Sequence, residues 1–246
     1  MLFRCILSDF YKLKHSPVLW LHIFIPLLGA FLFLWYYTIT GSKDPIIKIS
    51  YYLEALCVTF PILIGLLCGM TAAQEEEAGN YQEILSGIKS RTAAYLSKLI
   101  LLLVLSAFSV ALAVGIFSIG FQSASVLFYF KAALAVFGGN IFLYLLHLFI
   151  SFRFGRGASI GLGVVGTLLS ALMLTGLGNG IWHWVPWAWS VRFCDDIAFS
   201  LQYPSKSAIA IADMHYGIRV SVLAVCISAI ASLLWFHHWE GSQSNE

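Results

Sequence analysis

An all-α, polytopic membrane protein is the fold class this sequence predicts, and three observations carry that expectation. Of 246 residues, 60% are hydrophobic and only 11% are charged, against about 45–50% and about 25% in soluble domains. Six apolar runs, starting near Pro17, Tyr52, Ala94, Phe128, Ala158 and Tyr216, each reach the roughly 20 residues that a helix needs to cross a hydrocarbon core about 30 Å thick. The longest polar stretches lie between runs rather than within them. One transmembrane domain over 1–246 with six spanning helices follows, with no room for a large soluble domain. A net charge of +2 gives no footing for nucleic acid. Cys57, Cys68 and Cys226 fall inside apolar runs, Cys5 near the amino terminus and only Cys194 in a large loop. They read as buried thiols rather than a disulfide framework.

Residues 1–16 are amphipathic: Leu2, Phe3, Ile6, Leu7 and Phe10 recur at helical spacing, while Arg4, Asp9, Lys12 and Lys14 are charged. Such a helix lies in the membrane interface with its basic groups near anionic head groups; a solvated leader is the plainer alternative. Ser16 and Pro17 supply an N-cap and a first helical residue. The first run, to about Thr38, is too long for the h-region of a secretion signal and lies behind a polar segment, so it stays as the first span. Trp20, Trp35, Tyr36 and Tyr37 near its ends are placed as an aromatic belt. A short loop, 40–50, precedes a second span to about Ala73, which Pro61 and Gly65 can kink. After the polar stretch 74–93 comes a third span from about Ala94 to Phe117. A Gly/Gln/Ser loop, 120–125, leads to a fourth from Phe128 to Phe152. Arg153 and Arg156 flank a tight turn at Gly155–Gly157, and a fifth span runs from Ala158 to Leu177. Residues 178–215 hold Trp182, Trp184, Trp187 and Trp189 around Pro186, which reads as a half-immersed loop with short helices. The sixth span runs from about Tyr216 to Trp239.

With the amino terminus inside, eight Lys/Arg residues fall on the inner side and six on the outer. The inner ones hug span ends in short segments, where the positive-inside rule is most reliable. Both termini and 74–93 are therefore expected in the cytoplasm, and the Trp-rich loop outside.

The stretch Gln74 to Lys98 contains the acidic run Glu75, Glu76 and Glu77, a Gly79–Asn80 break, and a segment from Tyr81 to Lys89. Within it Tyr81, Ile84, Leu85 and Ile88 recur at i, i+3, i+4 and i+7. So short a helix is marginal in water unless something packs on its apolar face. A partner's groove and the membrane surface are the candidates, and the acidic run disfavours anionic lipid. A plain solvated loop is the third reading. At membrane depth the polar residues are Asn140 and His147, with Glu54 and Arg219 near the outer ends of their spans. Such groups mark a substrate path or an interhelical bond, and the last two can also snorkel to the interface.

Gly161, Gly163 and Gly166 match G-x-G-x-x-G, but inside an apolar run with no βαβ unit, so Gly157, Gly161, Gly163 and Gly166 read as a small-residue packing face. No phosphate-binding G-x-x-x-x-G-K-[ST], no H-E-x-x-H and no G-x-S-x-G occurs in the chain. His237-His238 lacks further ligands for a metal. No catalytic constellation emerges, and the chain is not expected to be an enzyme.

The opening residues resemble those of ABC-2 type permeases. Asp9, Lys12-Leu13-Lys14, Pro17, Leu19-Trp20, His22 and Pro26-Leu27-Leu28-Gly29-Ala30, with Glu75, Gly79 and Tyr81 after the second span, are most similar to lantibiotic-immunity permeases of the MutG/EpiG/NisG group. Recognisable residues cover the first third of the chain. The resemblance implies a type V exporter-like fold: an amino-terminal elbow helix, six spans, and a cytoplasmic coupling segment. That segment, carrying Glu75, Glu76, Glu77, Tyr81, Ile84, Leu85, Ile88 and Lys89, would rest on an ATP-binding subunit. It also implies a dimer of ATPase subunits holding ATP and Mg, so that no cofactor belongs to this chain. A second permease subunit would make a heterodimer, a homodimer being the alternative. The cargo would be an antimicrobial peptide expelled from a bacterial cell membrane to give immunity. Glu54, Asn140, His147, Trp187, Asp195, Asp196 and Asp213 are the expected substrate path, the outer acids and tryptophans suiting a cationic amphiphile. Other readings are an ABC-2 permease for a lipid, polysaccharide or drug, and a self-contained secondary transporter. The latter should show inverted repeats and midplane charges.

Overall fold

The computed structural model describes residues 2–14, 16–40, 44–82, 84–85 and 91–241. Among these, the chain forms α-helices and short 3-10 turns and no strand. The helices are α1 (Leu2–Lys14), α2 (Pro17–Ile39), α3 (Pro45–Glu77), α4 (Arg91–Gly120), α5 (Val126–Met173), α6 (Trp189–Gln202) and α7 (Ser207–His238).

Local chemistry sets the starts. The Ser16 hydroxyl accepts from Val18 N at 3.3 Å, with Pro17 as first helical residue. Asp44 accepts from Ile46 N at 2.9 Å ahead of Pro45, which starts α3 at Pro45 rather than near Tyr52 and takes up part of the expected loop. Ser125 caps α5 through Phe128 N. Likewise α7 begins at Ser207, ahead of the expected Tyr216.

Among the described residues, five helices are long and apolar enough to cross a membrane: α2, α3, α4, α5 and the stretch Pro204–His238. The count differs from the six apolar runs because α5, with 48 residues, carries two of them. A straight helix of that length would extend about 72 Å. It does not stay straight. Gly155 has φ 83 and ψ 174, a conformation available essentially to glycine alone. Ser159 Oγ then comes within 3.1 Å of His147 Nδ1, although twelve residues of straight helix would separate them by about 18 Å. The segments 126–154 and 156–173 thus fold back on each other.

The helices join two ends. At the α1 end lie α1, the end of α3, the start of α4, the Gly155 turn and Trp239. At the α6 end lie Tyr37, Tyr52, Phe117, Tyr129 and everything from 174 to 206. Helix α3 packs against both halves of α5 at very short range. A Cβ on Gly65 would stand 2.5 Å from Ser159 O, and one on Gly163 would stand 2.8 Å from Pro61 O. Gly166 abuts Trp187 and Pro61. Of the expected glycine face, Gly163 and Gly166 do this packing; Gly157 and Gly161 meet nothing within 4 Å, because they fall on the other side of the helix. Large apolar side chains point outward along α2 (Phe24, Leu28, Phe31) and α7 (Leu223, Ile227, Leu234), each at least 59% exposed. Such faces need lipid or another subunit.

Candidate functional site

At the α1 end, four charged side chains from three helices form one network. Lys98 of α4 reaches Asp9 Oδ1 of α1 and Glu75 Oε1 of α3, both at 2.7 Å. Lys12 Nζ of α1 donates to Glu75 Oε1 and Oε2 at 3.1 and 3.2 Å. The Ser97 hydroxyl donates to Asp9 Oδ2, and Gln74 Nε2 donates to the Lys12 carbonyl at 3.2 Å. Asp9, Glu75 and Lys98 are buried. Two carboxylates and two ammonium groups balance, which makes burial tolerable; a lone charge there would cost several kcal/mol (of the order of 3–5).

Helix α3 ends just past this network, at Gly79 (φ 131), Asn80 (φ 49) and Tyr81 (φ 64). Two successive non-glycine residues with positive φ are unusual. Ring burial holds Tyr81 in place: it packs at 5.0 Å on Trp239 and 5.9 Å on Phe152, beside Tyr95 and Phe236. Glu75, Tyr81 and Ile84, expected among the residues that rest on an ATP-binding subunit, are buried within this chain. Tyr81 and Ile84 are 2% and 1% exposed and Glu75 4%, because the chain covers them itself. Glu76, Glu77, Asn80 and Gln82 are exposed, and Leu85 is half-buried. Ile88 and Lys89 lie outside the described residues.

Midway along the bundle, His147 Nδ1 and the Ser159 hydroxyl are 3.1 Å apart, and Ser159 also donates to the Gly65 carbonyl at 2.9 Å. One polar node thereby ties α3 to both halves of α5. Asn140, expected to bond another helix or face a path, instead donates to Val136 O on its own helix at 2.7 Å; its Oδ1 is buried without a partner among the described residues.

The α6 end is built differently. Asp213 accepts from Trp182 Nε1 at 3.0 Å and meets His183 Nε2 at 2.9 Å. Arg192 is held by the Thr175 carbonyl and Asn179 Oδ1, both at 3.1 Å, and stands 3.6 Å from Asp195 Oδ2. Asp196 keeps one buried oxygen with no partner among the described residues. Burial, with Asp213 and Asp195 nearby, pushes its carboxyl up to about 7. Burial also raises Asp195, against the pull of Arg192. Glu54 is half-buried on α3; one turn on, Cys57 Sγ lies 3.7 Å from Cys194 Sγ of α6. Trp187 is half-buried with its Nε1 unpartnered among the described residues, while Trp184 stands 67% exposed.

The structure thus gathers Asp195, Asp196, Asp213, Trp187 and Glu54 toward one end and places Asn140 and His147 in the bundle interior. Sequence reasoning missed Lys98 and Ser97, and treated Asp9 and Lys12 as interfacial charges. The available signal was a lone lysine set among Tyr95, Leu96, Leu99 and Ile100, opposite a glutamate at the end of the preceding span. It missed His183 and Arg192 as partners of the outer acids.

A family model described as ABC-2 family transporter protein matches residues 5–170. No curated protein and no solved structure matches the chain. The matched region takes in most of α1, α2 to α4, the Gly155 turn and most of the returning half of α5, and so includes the charged network and the His147 node. The chain therefore belongs to the ABC-2 family: it is a membrane permease subunit of an ABC transporter, in a family whose members partner with an ATP-binding subunit.

Proposed function

We propose that the chain crosses the membrane six times, with α5 supplying two crossings and α1 lying as an elbow helix at the cytoplasmic surface. Both termini and 74–93 face the cytoplasm, and 178–215 faces outward. The chain pairs with a second permease over a dimer of ATPase subunits that hold ATP and Mg. Together they expel lantibiotic-type peptides from a bacterial cell membrane, giving immunity.

The observation that carries this reading is the network of Asp9, Lys12, Glu75 and Lys98. It fastens the elbow helix to the end of one span and the start of the next, at the point where the chain turns into the coupling segment. A push on Glu76, Glu77 and Gln82 from an ATPase is then delivered to α1, α3 and α4 as one body rather than lost in a hinge. From α3 it passes through the Gly65–Ser159–His147 node to both halves of α5. At the far end, exposed Trp184 and the carboxylates of Asp195 and Asp196 suit a cationic amphiphile leaving the bilayer.

The test is co-expression with a candidate ATP-binding subunit. Expected results are co-purification, ATP turnover stimulated by a lantibiotic, and raised survival of cells challenged with that peptide. Turnover and survival indifferent to the peptide would remove the cargo; failure to co-purify would remove the coupling scheme. A Glu76→Lys/Glu77→Lys variant should weaken the complex while leaving the fold intact.

A further inference from the structure

A cleft of about 610 Å³ opens between segment 126–154, α6 and α7. Its walls include Leu134, Ile141, Ile197, Val222 and Val225, and its basic lining residues are Lys131 and His215. Both lie toward the α6 end. Lys131 is about 8 Å along the helix from the start of α5, and Cys226 on the facing wall lies about 16 Å below His215. Neither Lys131 nor His215 takes part in an ion pair among the described residues. The carboxylate nearest His215 in sequence, Asp213, is bound to Trp182 and His183. Gly138 keeps the wall open: a Cβ there would meet nothing within 4 Å.

A basic rim at head-group depth above an apolar slot suits an anionic head on an acyl chain, the reverse of what a cationic peptide needs. Ligand sites of 300–1,000 Å³ with a few placed polar groups are typical. We propose that this cleft holds one anionic phospholipid from the leaflet on the α6 side, its phosphate against Lys131 and His215 and an acyl chain between α5 and α7. The inference is independent of the peptide cargo.

The test uses the full chain, purified, stripped of lipid and titrated by native mass spectrometry with phosphatidylglycerol or phosphatidylcholine of identical acyl chains. One phosphatidylglycerol per chain should bind about fivefold more tightly than phosphatidylcholine, the order one interfacial cation supplies. In Lys131→Gln/His215→Gln the preference should vanish while phosphatidylcholine binding stays. Lys131→Arg, which retains the charge, should keep the preference and guards against a folding artefact. In Gly138→Leu, which partly fills the slot, both lipids should bind several-fold more weakly. Equal binding of the two lipids by the unaltered chain would overturn the proposal, as would a preference that survives in the double variant. A chain that forms dimers and takes up no lipid would also overturn it, putting a second copy on the cleft.

Discussion

The two ends of this bundle hold similar numbers of acids and handle them in opposite ways. At the α1 end Asp9 and Glu75 are buried and each meets a lysine. At the α6 end Asp195, Asp196 and Asp213 are partly exposed, matched by one arginine and one histidine, and one carboxylate oxygen has no partner among the described residues. Neutralised charges fix geometry; incompletely neutralised ones leave a titratable surface. The contrast is between a part built to hold its shape and a part built to respond to what touches it.

The largest expected effect comes from breaking the paired end. Lys98→Met removes the only group bridging Asp9 and Glu75 among the described residues; it strands the buried Asp9 carboxylate and leaves Glu75 with Lys12 alone. About 3–5 kcal/mol of stability should be lost, read as a large fall in thermal midpoint or in folded yield. Adding Asp9→Asn should recover much of that loss, because the Glu75–Lys12 pair stays intact and no buried charge is then left uncompensated. If Lys98→Met alone unfolds like the unaltered chain, the network is ornamental.

A somewhat smaller effect is expected at the turn that doubles α5 back. Gly155→Ala places a Cβ at φ 83, at a cost of about 1–3 kcal/mol. Space is not the obstacle, since nothing lies within 4 Å. Gly161→Ala, on the same helix with helical geometry and equal space, should be neutral or slightly stabilising. Equal thermal midpoints for the two variants would show that the reversal at Gly155 does not depend on glycine.

How much of this could be read beforehand follows from which forces act locally. The spans were legible because twenty apolar residues in a row leave few alternatives. The Gly155 turn was legible because two arginines and two glycines interrupt such a run. The α3 start was misplaced because Asp44–Pro45 caps outweigh the polar look of 40–50. The α1-end network was not legible, because Asp9 and Lys98 are 89 positions apart and their pairing exists only once three helices meet. The same reason turned Tyr81 inward: its partners Phe152 and Trp239 lie far along the chain, and the heptad-like spacing around it could not tell a partner's groove from the chain's own core. Asp195, Asp196 and Asp213 were found as a set, since clustering with tryptophan is visible in sequence, but their different partners were not.

At the α6 end, Asp213→Ala should cost less than the Lys98 change. It removes acceptors for Trp182 Nε1 and His183 Nε2, two bonds worth about 1 kcal/mol each, on a carboxylate that is itself half in solvent. Asp213→Asn should retain part of that through its amide oxygen. A loss as large as that of Lys98→Met would erase the distinction between the ends.

The smallest effect is a pH slope. The Asp196 carboxyl, pushed up to about 7 by burial and by Asp213 and Asp195, holds its proton more tightly in the folded chain than in the unfolded one, where an aspartate titrates near 4. Between those values the folded state binds more protons, so its stability falls as pH rises toward about 7 and levels off above it. Thermal midpoints between pH 5 and pH 8 should carry that downward contribution. Asp196→Asn should flatten it and raise the midpoint at pH 8 more than at pH 5. An Asp196→Asn chain with the full slope would mean that the unpartnered oxygen is met by some other donor, and that the α6 end is as neutralised as its counterpart.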